Sequence, residues 1–143
     1  MSRLLYLPDD PSAVEALDSI EGGLTMSWEV EPHAREPHAA PVTIASFERV
    51  YPWGSITGRV GHRPPSRASD GRMQPEHWSV SVTLDRCARC VIPQGTPTGA
   101  LHWGDATRDG ADAALAIARR LTESAERIAA VIAAGSPASC GDD

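Results

Sequence analysis

The chain has 143 residues, 19 acidic and 13 basic side chains, 12 glycines, 12 prolines and a formal net charge of −6. That length is one domain, able to bury a real core without disulfides or metal, and an apolar content of 41% with so much glycine and proline points to a compact core with generous loops. The same numbers exclude a collagen-like chain, a long coiled coil and a wholly disordered chain, and no apolar run approaches the ~18 residues that would span a bilayer.

Every basic residue is arginine. Lysine codons are AT-rich, so this composition points to a GC-rich bacterial or phage origin. It also gives the chain a planar, permanent cation suited to carboxylate and phosphate. The charge is uneven along the chain. Residues 1–48 carry nine acids and two arginines, residues 49–108 four acids and eight arginines, and residues 109–143 six acids and three arginines. A chain that neutralises nucleic acid over its whole surface does not look like this; one basic segment on an acidic body does. Leu4 to Leu7 is too short for the apolar part of a secretory leader, and an odd set of three cysteines does not suit a disulfide framework. The expectation is a reduced, soluble, cytoplasmic protein with no membrane partner.

In chain order, Ser2 to Leu7 reads as a short edge strand. Asp10 supplies an N-cap and Pro11 the first helical position. Val14, Leu17 and Ile20 share one face, and Gly22-Gly23 ends a helix over about residues 11–21. Leu24, Met26, Trp28 and Val30 alternate with polar residues, which predicts a half-buried strand. Residues 31–41 repeat Glu-Pro-His-Ala and hold three prolines, so they read as an extended loop. Val42 to Tyr51 is a strand, Pro52-Trp53-Gly54 a turn, and Ser55 to Gly61 its hairpin partner, weakened by Gly58. His62 to Glu76 is a long irregular loop.

Trp78, Val80, Val82 and Leu84 alternate with Ser79, Ser81 and Thr83 and give the strongest strand pattern. A reversal near Asp85-Arg86 would make Cys87 to Ile92 its partner, and Ala100 to Trp103 is a short last strand. Asp105 or Thr107 then caps a helix of about 26 residues, ~39 Å long. Its apolar stripe is Ala114, Ile117, Leu121, Ser124, Ile128 and Val131, widened by Ala118, Ala125 and Ile132. Gly135 and Pro137 end it, and residues 136–143 read as a disordered tail. A helix so much longer than a ~20 Å strand lies diagonally on its sheet, or overhangs and meets a second copy.

The expected fold is therefore α+β: a single domain over residues 1–135, with a mostly antiparallel sheet of five or six strands. A short N-terminal and a long C-terminal helix pack on one face. Thr25, Ser27, Glu29, Ser79, Ser81 and Thr83 make the other face polar, turned to water or a partner. The Gly104-Asp-Ala-Thr stretch, read as opening an alanine-rich helix after strands, is similar to the junction of small β-β-β-α antitoxin-type domains, over that junction alone. The tryptophans fall evenly at 28, 53, 78 and 103, but their neighbours differ and the spacing reads as coincidence.

Two thiols at Cys87 and Cys90 have the spacing to grip one zinc ion. His102 is the best third ligand, with Asp85 or Asp105 as the fourth, while His77 lies too far along its strand. A redox pair would need a helix N-terminus, which this stretch lacks. The plainer reading is two small hairpin residues, so no cofactor is expected, with zinc the one candidate. His33 and His38 flank Glu36 in a loop, without the helical spacing of a metal motif. There is no nucleophile elbow, and a phosphate loop needs a lysine that is absent. No catalytic residue is assigned.

The candidate partner-binding segment runs from Trp53 to Trp78 and includes Arg59, His62, Arg63, Arg67, Arg72 and His77, against Asp70 and Glu76. Arginine interleaved with aromatic residues suits phosphates and stacked bases or an acidic protein face, and the acidic body favours protein. Ile117, Leu121, Ile128 and Val131 are the candidate oligomer interface. The functional expectation is a non-enzymatic interaction module that binds a protein or anionic partner through the Arg/Trp-rich loop. It self-associates through its last helix to a homo-oligomer and serves as an accessory protein of a phage or mobile element. A nucleic-acid-binding protein and a small metal-dependent enzyme are the alternatives.

Overall fold

The computed structural model describes residues 11–25, 27–34, 40–86 and 100–135. Its elements in chain order are α1 (Pro11–Gly23), β1 (Glu29–Val30), β2 (Val42–Tyr51), β3 (Gly54–Arg63), β4 (Ser66–Arg67), β5 (Met73–Gln74), β6 (His77–Arg86), β7 (Leu101–Thr107) and α2 (Ala111–Gly135). Five strands form one antiparallel sheet in the order β1-β2-β3-β6-β7, and β4 and β5 form a separate two-stranded ribbon. The fold is α+β, with a short N-terminal helix and a long C-terminal helix packed on one face.

Alternation builds the sheet. On β3 the even-numbered Ile56, Gly58, Val60 and His62 are buried, and on β6 Trp78, Val80, Val82 and Leu84. These residues pair across the ladder, Ile56 with Leu84 and Val60 with Val80, so one face is continuous and apolar. On β2 a bulge at Ile44 shifts the register between Thr43 and Ala45 and brings Ala45 and Phe47 onto the buried face. The bulge's free carbonyls are taken locally: Ile44 accepts from the Glu31 N–H at 2.7 Å, and the Thr43 carbonyl lies 2.8 Å from His33 Nε2. The proline-containing turn after β1 is thereby pinned to the sheet edge.

Helix α2 covers β6, β7 and part of β3. Its packed residues are Ala114, Ala118, Leu121, Ala125, Ala129 and Ile132, one stripe at helical spacing whose small side chains let the helix lie close on the sheet. Helix α1 joins it through Leu17 and Ile20 in the shared core. Two polar contacts add to this: Ser19 donates to Asp112 at 2.7 Å, and Arg119 donates to the Gly23 carbonyl at 2.7 Å. Trp28 sits between layers, edge-to-face with Phe47 at 4.6 Å and donating from Nε1 to Thr122 Oγ1 at 3.3 Å.

Several local expectations change. The strand expected over residues 24–30 shrinks to Glu29–Val30, because the Trp28 N–H bonds the Thr25 carbonyl at 3.1 Å and closes a turn. There is no reversal at Asp85-Arg86; both stay in β6, paired with Ser55 and Gly54. The strand that pairs with the far side of β6 is β7, which runs on to Thr107. Asp105 and Thr107 are therefore strand residues and do not cap α2. The Gly110 carbonyl accepts the first helical bond, from the Ala114 N–H at 3.2 Å, at a φ of 103° that favours glycine. Since Gly104 to Thr107 lie within β7, the likeness to an antitoxin-type strand-to-helix junction is not present. The loop expected over residues 62–76 holds the end of β3 and the β4–β5 ribbon. The expected strands at residues 2–7 and 87–92, and the tail 136–143, lie outside the described residues.

Candidate binding face

Both helices lie on one side of the sheet, and among the described residues the other side is open. Cross-strand partners share a face, and the register gives its composition. Arg59 stands between Ser46 and Ser81, Gly61 between Thr43 and Ser79, Thr57 between Glu48 and Thr83, and Arg63 opposite His77. On β7, His102, Gly104 and Ala106 continue these rows. The face is made mostly of small polar residues, with Val50, 74% exposed, as its large apolar side chain.

Charge separates along the strand direction. Glu48 and Asp85 lie toward the end where β2 turns into β3. Arg59, Arg63 and His77 lie toward the opposite end, where Arg108 follows β7. Among the described residues, Arg59, Arg63 and Arg108 form no ion pair with a carboxylate. A shallow groove of about 240 Å³ crosses the face beside Arg59, floored by Gly61, Ser79 and Ser81 and walled by Pro41 and Thr43. A second hollow, of about 380 Å³, opens at His77, Ala106, Thr107, Arg108 and Asp109. Desolvation, then the charges of Arg63, Arg108 and His62, hold the His77 imidazole below its ordinary 6.5.

The β4–β5 ribbon extends from this same basic end. Its turn is closed by the Ala68 N–H on the Arg72 carbonyl at 2.8 Å and the Gly71 N–H on the Ala68 carbonyl at 2.9 Å. Arg67 and Arg72 are exposed. Arg67 donates to the Gly71 carbonyl at 3.0 Å, and Arg72 faces Asp70 at 3.8 Å across a solvated contact. Glu76 anchors the ribbon from the buried side. It accepts from Trp78 Nε1 at 3.0 Å and pairs with His62 Nε2 at 2.9 Å, while the His62 and Trp78 rings lie tilted at 39° with centroids 4.2 Å apart.

The residues expected to bind a partner therefore divide. Arg59, Arg67 and Arg72 are exposed and Arg63 is half-buried. Trp53, His62 and Trp78 are core residues, 2%, 1% and 0% exposed, and offer no surface to a partner. Trp53 stacks on Tyr51 at 4.9 Å instead. Of the helix stripe, Leu121 is buried in the chain's own core, Ile117 and Ile128 are partly buried against it, and Val131 is 51% exposed. Cys87 and Cys90 lie outside the described residues. His102 sits on the open face with its Nδ1 3.0 Å from Thr83 Oγ1, and among the described residues no three His, Cys, Asp or Glu side chains converge as metal ligands.

Sequence reading holds His77 within the Trp53–Trp78 segment but does not single out Arg108, which falls inside the expected helix start. The signal that separates the exposed cations of the segment from its buried residues is parity. Arg59 and Arg63 alternate with the buried Ile56, Val60 and His62, and His77 alternates with Trp78. No helix among the described residues is long and apolar enough to cross a membrane. No family model, no curated protein and no solved structure matches this chain.

Proposed function

We propose that this protein is a non-enzymatic interaction module that engages an acidic segment of a protein partner. The surface is the open sheet face at the end carrying Arg59, Arg63, His77 and Arg108, extended by Arg67 and Arg72 of the ribbon. The observation that carries this reading is the one-sided sheet on whose uncovered face Arg59, Arg63 and Arg108 gather toward one end, none of them ion-paired with a carboxylate among the described residues. A partner that supplies those carboxylates gains electrostatic complementarity and a faster encounter.

Nucleic acid is the weaker reading of the same charge. Single strands bind by stacking bases on aromatic rings, yet Trp53 and Trp78 are buried and Trp103, partly buried, packs against the core. The net charge of −6 also repels a long polyanion. Fluorescence anisotropy with a labelled oligo-glutamate peptide and a labelled oligo-dT of equal length separates the two. The peptide is expected to bind more tightly, weakening as salt rises. Arg59→Gln should lower its affinity about fivefold, the weight of a rim ion pair of about 1 kcal/mol. Oligo-dT binding more tightly than the peptide, or peptide binding indifferent to Arg59→Gln, would overturn the proposal.

A further inference from the structure

Three basic side chains fall in one row at the corner of the open face. Arg63 closes β3, His77 opens β6 directly opposite it, and Arg108 follows Thr107, which lies opposite Trp78 on β7. Strands about 4.8 Å apart place these three backbones within ~10 Å of one another. The hollow of about 380 Å³ opens at this row, with Ala106 and Thr107 on its wall. Arg63 is half-buried, and its Nε is enclosed without a hydrogen-bond partner among the described residues. The Thr107 hydroxyl accepts from the Asp109 N–H at 3.0 Å and keeps its own hydrogen to donate. Asp109 lines the hollow beside Arg108, and Arg63 stands next to this lining, opposite His77 on β3.

We propose that Arg63, His77, Thr107 and Arg108 form a pocket for an oxyanion of the charge and size of a phosphate group. This deepens the reading above and rests on it. The guanidiniums supply forked donors that match such a group, and a phosphate monoester carries about −1.5 to −2 at neutral pH, enough to offset both arginines and to favour the protonated form of His77. The hollow is larger than a lone ion fills. The group therefore arrives on a larger molecule, as a phosphorylated side chain of the partner, and free phosphate is the source to separate from it.

The test is NMR of the histidine rings in the full chain at constant ionic strength. The titrants are inorganic phosphate, a capped phosphoserine tripeptide and the same peptide with glutamate. The His77 ring is expected to shift saturably with phosphate and to titrate at higher pH when the pocket is filled. His33 and His102 stay unmoved. A phosphopeptide that binds more tightly than phosphate identifies the carried group; equal binding identifies free phosphate. Arg108→Gln should weaken binding about tenfold, the weight of one charged hydrogen bond, with the amide spectrum confirming an intact fold. A His77 ring that does not respond, or a response shared by all histidines and unchanged in Arg108→Gln, marks an adventitious ion only and overturns the pocket. If oligo-glutamate still binds in that case, the broader reading stands; if neither probe binds, both fall.

Discussion

Gly58 has no room for a side chain. A Cβ there would lie 2.2 Å from Cε1 of Phe47 and 2.7 Å from Cη2 of Trp28, two rings packed edge-to-face in the core. Neither ring can retreat without displacing its neighbours. Gly58→Ala should therefore destabilise the fold by about 1–3 kcal/mol, read as a lower urea midpoint at unchanged slope; an unchanged midpoint would contradict this packing. In sequence, Gly58 reads as a weak point in a strand, since nothing local reveals that two aromatic side chains close over it. His77 makes the second residue-scale prediction. Its folded pKa lies below 6.5, so the unfolded chain binds the proton more readily. As pH falls through 6.5 toward the folded value, the unfolded state gains protons first and stability declines. His77→Asn should flatten that part of the stability–pH curve. A slope identical to the parent's would show that neither burial nor the arginines beside it depress this ring.

At the scale of elements, one acidic side chain sits where the ribbon joins the sheet. Glu76 joins Trp78 and His62 beneath the point where β4 and β5 leave the sheet. Glu76→Ala removes the contacts to Trp78 and His62 and should cost about 1–3 kcal/mol. It should also speed hydrogen exchange of the Ala68 amide, which closes the ribbon turn. Glu76→Gln keeps an acceptor for Trp78 and should recover most of the protection. Equal exchange in all three proteins would show that the ribbon is held some other way. The long strands were legible because their alternation is uninterrupted: β2 runs over the expected Val42 to Tyr51, and β6 extends the expected Trp78–Leu84 by a few residues at its ends. Leu24 to Trp28 alternates as cleanly but turns, because Trp28 is drawn under the helix layer. The ribbon strands are two residues each, too short for periodicity, although Asp70-Gly71 is a turn signal. Polar Asp105 and Thr107 resemble helix caps, yet Asp105 is tied to Arg120 of α2 from within β7. The length of α2 was legible from its stripe, and its start was not.

For the whole molecule, the charge pattern of the sequence becomes a pattern in space. The basic middle segment builds most of β3, β6 and β7, while α1 carries Glu15, Asp18 and Glu21 and no arginine. One face of the sheet is covered by helices, and the other ends in arginines. In the sequence the arginines stand beside tryptophans, whereas the turn between β2 and β3 folds Trp53 onto Tyr51, the pleat of β6 sends Trp78 inward, and the cations are left on a face without tryptophan. That separation turns an apparent stacking surface into an electrostatic one. Amide chemical-shift mapping of the full chain with the oligo-glutamate peptide tests it most directly. Shifts are expected to concentrate at Arg59, Gly61, Arg63, His77, Ser79, Ala106 and Arg108, fading as salt rises and the field is screened beyond ~8 Å. Shifts centred on the outer side of α2, or none on these strands, would contradict it.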